Sequence, residues 1–290
     1  MARRLGLIGR GRWGQTIART LEEFSEVVVV PIGRGETRPA GLDGIIVATP
    51  SATHADLAIP YIEARIPTFI EKPMTTAIAD VVRIAEAAAK SGAIVFIGHI
   101  HLHNPAFQAA LGVARTLGPV EAMLCEMANE RPAIPSSTLW EWLPHPLSMA
   151  RALLGREADS VEAIALAGAP GHEQAVIARF TFGAAPVWVN ANRMTPHPVF
   201  HASVACAAGT IVYDDRAERR LAVYDRSGAV SYPAYDAEPP LTREMREFLR
   251  AIETGTRDPV QIETGGAIVR AIAAAESSVA WHGARVPVAP

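Results

Sequence analysis

The sequence of 290 residues is poor in cysteine and contains only Cys125 and Cys206. Two cysteines are too few for a disulfide framework, and they lack the paired spacing of a zinc site. We therefore expect both to be reduced thiols in the core.

Long apolar runs are absent as well. No stretch approaches the ~20 apolar residues that a membrane span needs. Near the amino terminus, Gly9, Arg10 and Arg12 interrupt any apolar region of a signal peptide. The sequence therefore predicts a cytoplasmic protein with no membrane partner.

The sequence also lacks an excess of positive charge, since its formal net charge is −3. Nothing in this balance attracts nucleic acid or an anionic membrane surface. With 49% hydrophobic and 20% charged residues, the composition is that of an ordinary globular protein. The length is sufficient for two domains with a substantial core.

Close to the amino terminus, in contrast, three glycines form a G-x-G-x-x-G pattern. Residues 5–8 form an apolar run, and residues 15–24 carry apolar side chains at helical spacing. Gly9 would allow a tight turn, Gly11 a close approach of a pyrophosphate, and Gly14 close packing of the helix on the strand. The free N–H groups of the helix start would face the phosphates. This stretch predicts dinucleotide binding, with a purely structural glycine turn as the alternative.

The next predicted strand, residues 26–32, contains four successive valines, which is typical of a strand buried on both faces. No acidic residue stands at its end, where an NAD-preferring site usually has one for the ribose 2′-hydroxyl. Arg34 stands there instead and could meet a 2′-phosphate together with Arg10, Arg12 or Arg38. We therefore expect NADP rather than NAD, while a solvated loop charge is the alternative for Arg34.

Further strands are predicted over residues 44–48, 67–70 and 93–97, each separated from its neighbours by a loop or a helix. Only residues 35–42 leave little room for a crossover helix. From residue 119 onward, strands follow one another, which indicates a mostly antiparallel sheet. The fold class is therefore α/β. It comprises an N-terminal Rossmann doubly wound parallel sheet over residues 1–118 and a C-terminal domain with an open, mainly antiparallel sheet over residues 119–290.

Two further motifs follow predicted strands. Lys72 comes directly after the fourth strand, at the sheet edge where ligands bind in open parallel sheets. His99, His101 and His103 occur at every second residue and could share one strand face. Because no carboxylate lies at matching spacing, we expect no metal and favour edge or interface histidines. Asn104 with Pro105 is a strong helix start.

Several motifs in order carry a resemblance to a known family. They are the glycine loop of residues 9–14, Ala48-Thr49-Pro50 with His54, Glu71-Lys72-Pro73, and Gly98-His99 with Asn104-Pro105. Together they resemble the glucose–fructose oxidoreductase, inositol dehydrogenase and MocA (Gfo/Idh/MocA) family. The resemblance implies these cofactor contacts: Gly9, Arg10, Gly11, Arg12, Trp13, Gly14, Arg34, Thr49, Pro50, His54, Glu71, Lys72 and Pro73.

The same resemblance covers a second signature of the family, an Asp followed after three residues by a His. Glu141 and His145 occupy these places. Glu141 replaces the Asp, Ser148 stands where another Asp is frequent, and Leu102 stands where an Arg is common. The resemblance also implies a homodimer or homotetramer formed through the C-terminal sheet, with the last helix packing back on the Rossmann domain.

Oxidation of a secondary alcohol needs a hydride acceptor, a base and a charge that stabilises the developing alkoxide. We expect His145 to take the proton, Lys72 to hydrogen-bond the reacting oxygen, and Glu141 to orient His145. A helix-start cap is the structural alternative for His145. Weaker candidates for substrate contact are His99, His101, Asn192, Arg193 and His197.

The function implied by the resemblance is NAD(P)-dependent hydride transfer to or from a sugar, cyclitol or similar polyol. Two alternatives stay open. A relative of this type can use its bound nicotinamide for elimination or epimerisation, and a nucleotide-binding regulatory or scaffold protein would show no turnover.

Overall fold

The computed structural model of this chain describes residues 2–33, 36, 39–130, 137–169 and 171–289. These residues form two compact units, and each unit comprises two separate segments of the chain. The first unit comprises Met1–Ile100 and Glu238–Val269, and the second His101–Ala237 and Arg270–Pro290. The units therefore alternate along the chain.

The first unit contains a five-stranded parallel sheet with helices between most of its strands. Its strands are β1 (Arg3–Ile8), β2 (Val27–Ile32), β3 (Gly44–Val47), β4 (Thr68–Glu71) and β5 (Val95–Gly98). Its helices in this segment are α1 (Arg12–Leu21), α2 (His54–Glu63) and α3 (Ile78–Ser91). The strand order β2-β1-β3-β4-β5 confirms the predicted Rossmann-like sheet.

The prediction that β2 is buried on both faces is wrong. β2 is an edge strand that pairs only with β1 in this sheet, and Val28 is 48% exposed. After β2 the chain returns to the other side of β1, where β3 pairs in parallel. In the described part of this return, no helix is present. The segment is too short to build another strand and helix outside β2, so the valines face partly outward.

The second unit contains a nine-stranded sheet. Its strands are β6 (Val120–Ala128), β7 (Ser160–Ala169), β8 (His172–Phe182), β9 (Ala185–Asn192), β10 (Val199–Cys206), β11 (Gly209–Asp214), β12 (Leu221–Asp225), β13 (Val230–Ser231) and β14 (Val286–Pro287). The order is β13-β12-β11-β10-β6-β9-β8-β7-β14, and all pairs are antiparallel except β6 with β9. This arrangement confirms the mainly antiparallel sheet. The two-residue strands β13 and β14 were not predicted.

Three helices accompany this sheet: α4 (Pro105–Thr116), α5 (Thr138–Trp142) and α6 (Pro144–Leu154). The predicted start of α4 is confirmed, because the Asn104 side chain accepts a hydrogen bond of 3.0 Å from the N–H of Ala106. Pro105 occupies the first position of the helix.

Helices α7 (Pro240–Thr254) and α8 (Pro259–Ala280) follow the large sheet. In the first unit, Phe248 of α7 packs edge-on against Phe69 and Phe96, with ring centroids 5.6 and 5.8 Å apart. Gln261 of α8 accepts a hydrogen bond of 3.1 Å from the N–H of Ile97 in β5. α7 and the beginning of α8 therefore complete the core of the first unit.

Cys125 and Cys206 are both buried, and burial raises the pKa of the Cys125 thiol to about 12. Among the described residues, no helix has the length and apolar character that crossing a membrane would require.

Candidate functional site

The glycine loop after β1 is built on close backbone contacts. Gly9 has a φ of 122°, and a Cβ atom there would lie 2.2 Å from the carbonyl oxygen of Ala48. A Cβ atom on Gly14 would lie 2.0 Å from the carbonyl oxygen of Gly9. Both positions therefore require glycine, because backbone atoms cannot move aside as the end of a side chain can.

Gly11 has a different environment, which fits a ligand. It is the N-cap of α1, and a Cβ atom built on it would meet nothing within 4 Å. Among the described residues, no side chain caps this helix. Arg10 and Arg12 flank Gly11 and are exposed. Open space at a helix amino terminus with adjacent cations is the arrangement that a pyrophosphate needs.

The end of β2 carries an acidic residue that the sequence analysis missed. Glu36 accepts a hydrogen bond of 2.8 Å from the N–H of Gly33. No acid follows the strand directly in sequence, but the N–H of Glu36 also donates a hydrogen bond of 3.3 Å to the Gly33 carbonyl, so Glu36 lies at the strand end. A search beyond the first residue after the strand would have found it. Arg34 and Arg38, the predicted partners of a 2′-phosphate, lie outside the described residues.

His54 links the segment after β3 to the segment after β4. One ring nitrogen, Nδ1, lies 3.0 Å from the carbonyl oxygen of Pro73, and Nε2 lies 2.8 Å from that of Thr49. The side chain is buried, and this burial lowers the pKa of His54. His54 thus holds two loops together, while Pro50 remains exposed beside it.

Glu71 and Lys72 stand at the carboxyl end of β4. The Glu71 carboxylate is buried and accepts a hydrogen bond of 2.5 Å from Nε1 of Trp13. Its other oxygen accepts one of 3.1 Å from the Lys72 N–H. Burial raises the pKa of Glu71 to about 7, although both hydrogen bonds and the Lys72 charge oppose this shift. Lys72 itself is partly exposed.

In the second unit, His145 lies in the first turn of α6 and is partly exposed. The hydroxyl of Ser148 donates a hydrogen bond of 2.8 Å to the His145 carbonyl, which braces this turn. Glu141, in α5, forms an ion pair with Arg193. The side chain of Arg193 is only 1% exposed and that of Glu141 18% exposed.

His101 joins His145 in an aromatic cluster within the same unit. Its ring stacks on Phe200 with centroids 4.0 Å apart and contacts the His145 ring edge-on at 4.8 Å. The Tyr213 hydroxyl lies 3.5 Å from Nδ1 of His101 and donates a hydrogen bond of 3.2 Å to Asp215. Burial raises the pKa of Tyr213. The sequence showed no signal for Phe200, Tyr213 or Asp215, which lie in or just after predicted strands.

The remaining substrate candidates lie in different surroundings. His99 is buried at the end of β5 in the first unit, and His197 is exposed in the second. The side-chain oxygen of Asn192 accepts hydrogen bonds from the N–H of Met194 at 3.1 Å and the hydroxyl of Thr195 at 2.9 Å. Asn192 therefore shapes the turn after β9, and substrate contact by any of these residues stays a prediction.

Part of the first unit is similar to a known protein family. Residues 36–99 match the family model described as an oxidoreductase family with an NAD-binding Rossmann fold, the Gfo/Idh/MocA family. The resemblance drawn from the sequence motifs is thereby confirmed.

Individual relatives carry more specific names. An inositol 2-dehydrogenase of Acidothermus cellulolyticus is 28% identical over an alignment that covers 56% of this chain and 56% of that protein. The chain thus matches about half the length of this relative. A myo-inositol 2-dehydrogenase of Thermotoga maritima is 23% identical over 90% of this chain and 92% of that protein.

A solved structure from Magnetospirillum magnetotacticum, described provisionally as an oxidoreductase, superposes with a TM-score of 0.84 at 28% identity. It covers 94% of this chain and 99% of its own. The two-unit α/β fold is therefore that of these oxidoreductases.

The buried ion pair in the second unit leads to a stability prediction. We expect Glu141→Ala to lower the free energy of unfolding by about 3 kcal/mol, because it leaves the buried Arg193 guanidinium without its carboxylate. Urea denaturation of the purified protein measures this change. The double variant Glu141→Ala/Arg193→Met should recover most of the loss, since no buried charge then remains. An equal loss of unfolding free energy in the single and double variants would contradict the idea that the unpaired Arg193 charge causes the loss.

Proposed function

We propose that this protein is a nicotinamide-dependent oxidoreductase that transfers hydride between its cofactor and a secondary alcohol or ketone of a cyclitol, sugar or related polyol. The open space over Gly11 at the amino terminus of α1 carries the proposal. The match of residues 36–99 to an NAD-binding family supports it. The substrate class rests on the names of the inositol 2-dehydrogenase relatives.

The residues around the glycine loop would hold the cofactor. The N–H groups at the start of α1 would bind the pyrophosphate, with Arg10 and Arg12 adding positive charge. Thr49 and Pro50 would border the site after β3, and His54 and Pro73 would maintain the loops. The bound nicotinamide would supply the hydride acceptor.

Glu36 supports NAD as the cofactor. A carboxylate at the end of the second strand can accept a hydrogen bond from the ribose 2′-hydroxyl and would repel a 2′-phosphate. Arg34 supports the NADP preference expected from the sequence. Because Glu36 is already held at the strand end by Gly33, we propose NAD, with NADP as the alternative.

Lys72 and His145 would share the acid–base work. The Lys72 ammonium would donate a hydrogen bond to the reacting oxygen and stabilise its developing negative charge. The His145 imidazole would accept the hydroxyl proton during oxidation and return it during reduction. Glu141 is bound to Arg193, so we propose that this pair braces the α5–α6 segment before His145.

A regulatory protein without turnover is the second candidate function. The engagement of the Glu141 carboxylate by Arg193 favours it, because the acidic partner expected for His145 is then occupied. Such a protein would bind nucleotide but transfer no hydride. A protein that uses retained nicotinamide for elimination or epimerisation would instead copurify with its cofactor.

The first prediction concerns cofactor binding. We expect cofactor-free protein to bind NADH in calorimetric titration, and Gly11→Ala to weaken binding by at least about tenfold, because its methyl group enters the proposed pyrophosphate space. Its melting temperature should stay unchanged, since nothing lies within 4 Å of that position. Glu36→Gln should reduce the ratio of the Kd for NADPH to the Kd for NADH, because the carboxylate charge that would repel a 2′-phosphate is removed. Undiminished binding by Gly11→Ala would contradict this cofactor site.

The second prediction concerns hydride transfer. With myo-inositol or another polyol that the wild type oxidises, Lys72→Ala should lower kcat/KM by about 100-fold, because a donor to the developing alkoxide is lost. His145→Ala should cause a similar loss. His172→Ala is the matched control, since His172 is exposed and is not a candidate site residue, and it should keep activity. Near wild-type turnover by Lys72→Ala would exclude the proposed role.

We further propose that the open face of the large sheet binds a second copy of this chain. Leu124 and Trp188 are neighbours in register on β6 and β9 and are 57% and 43% exposed. Ile164 on β7 is 44% exposed and lies opposite Ile177 on β8. Contiguous exposed apolar side chains of this size typically mark an interface.

The charge on this face also suits self-association. Arg179 pairs with Glu162 at 2.8 Å beside the apolar residues, so the face carries both signs of charge. We propose a homodimer, with a homotetramer as the larger alternative.

Light scattering coupled to size exclusion tests the dimer. The wild type should elute as a dimer, and Trp188→Glu should give a folded monomer because a charge enters the apolar contact. Lys90→Glu, on the first unit, is the control and should stay dimeric. A wild-type monomer at micromolar concentration would overturn the proposal.

A further inference from the structure

The Glu71 carboxylate connects two segments of the proposed cofactor site in the first unit. Trp13, the second residue of α1, belongs to the glycine loop, and Lys72 follows β4. One oxygen of Glu71 accepts from the Trp13 indole and the other from the Lys72 N–H, at 2.5 and 3.1 Å. The glycine loop and the lysine are therefore tied to the same carboxylate.

The space beside the Glu71 carboxylate depends on a glycine in the neighbouring strand. Gly98 lies beside Glu71 in the register of β4 and β5. A Cβ atom on Gly98 would lie 2.6 Å from the Phe69 ring and 3.3 Å from Oε1 of Glu71. A larger residue at position 98 would therefore crowd the side chain that holds Trp13.

One edge of the Trp13 side chain contacts a buried residue, and the rest of the ring is partly exposed. Its indole N–H is bound to the buried Glu71, while the side chain is 40% exposed at the start of α1. It follows Gly11, which faces open space, by two positions. The exposed ring area is thus held rigidly beside the amino terminus to which we assign the pyrophosphate.

We propose that Glu71 is a positioning residue that fixes the Trp13 indole as a wall of the dinucleotide site and ties this wall to the strand end carrying Lys72. Glu71 itself is buried and does not touch the cofactor in this assignment. The inference rests on the proposed cofactor binding, but the tie itself exists without cofactor and can be tested separately.

The protonation state of Glu71 should modulate this tie. An ionised carboxylate is a stronger acceptor than a neutral acid, and the pKa of Glu71 is about 7. The titratable groups that act on it are Lys72, whose charge favours ionisation, and Glu244 of α7. Burial and, to a smaller extent, the charge of Glu71 raise the pKa of Glu244 well above its ordinary value. The tie should therefore weaken as the pH falls through about 7.

The first test needs no cofactor. In ¹H–¹⁵N spectra of the full chain, the indole resonance that disappears in Trp13→Phe identifies Trp13. In the wild type, we expect the chemical shift of this resonance to change with pH, with a midpoint near neutrality. In Glu71→Gln, the chemical shift should not change with pH in this range. Glu244→Gln is the matched control and should keep the titration. Loss of the titration in Glu244→Gln alone, or a resonance that does not titrate in the wild type, would overturn the assignment.

The second test measures NADH binding. Trp13→Phe and Glu71→Gln should each raise the Kd for NADH by about tenfold, because Glu71 then no longer holds the indole in place beside the cofactor. Energy transfer from tryptophan to bound NADH should fall strongly in Trp13→Phe. Wild-type affinity should decline as the pH falls below 7, and the affinity of Glu71→Gln should not. Wild-type NADH affinity in both folded variants would overturn the inference.

The two tests separate the inference from the proposed function. If the wild type binds neither NADH nor NADPH, the cofactor proposal fails, while the indole titration still reports whether Glu71 holds Trp13. If NADH binds and the pH-dependent shift of the Trp13 indole resonance is the same in Glu71→Gln as in the wild type, the cofactor proposal stands and the positioning role is wrong.

Discussion

Close backbone contact at the glycine loop is the constraint on which the first unit depends. Gly9 approaches the carbonyl of Ala48, and Gly14 approaches that of Gly9, so closely that any side chain would overlap backbone atoms. These contacts bring β1, β3 and the start of α1 together at the carboxyl ends of parallel strands. His54 and Glu71 then bind the neighbouring loops to this point. The candidate cofactor site is therefore a consequence of how tightly one turn packs.

The two units stabilise their buried charged side chains, Arg193 and Glu71, in different ways. The Arg193 side chain is buried and positively charged, so it requires a partner, which Glu141 provides. Glu71 can become neutral, and burial raises its pKa to about 7 while hydrogen bonds retain its ionised form near neutrality. The first arrangement places an ion pair in the helix that precedes His145. The second is the basis of the proposed pH response of the Trp13–Glu71 hydrogen bond.

Local patterns were sufficient to predict most elements, because the spacing of apolar residues and the turn residues agree along the chain. The Asn104 cap, the strand before Lys72 and the succession of strands after residue 119 are confirmed on this basis. The prediction for β2 is wrong because four valines indicate a strand but not its place in the sheet. Glu36 was missed because a turn, and not the count along the chain, brings it to the end of β2.

The sequence by itself determined the Rossmann-like unit, the second sheet, the glycine loop and the motifs that resemble an oxidoreductase family, since each depends on residues close together in the chain. Only the tertiary structure decided that Glu71 holds Trp13, that Glu141 pairs with Arg193, and that His101 contacts His145. These partners are separated by tens of residues in sequence. Their meeting depends on strand register, helix packing and burial, which no local pattern of side chains encodes.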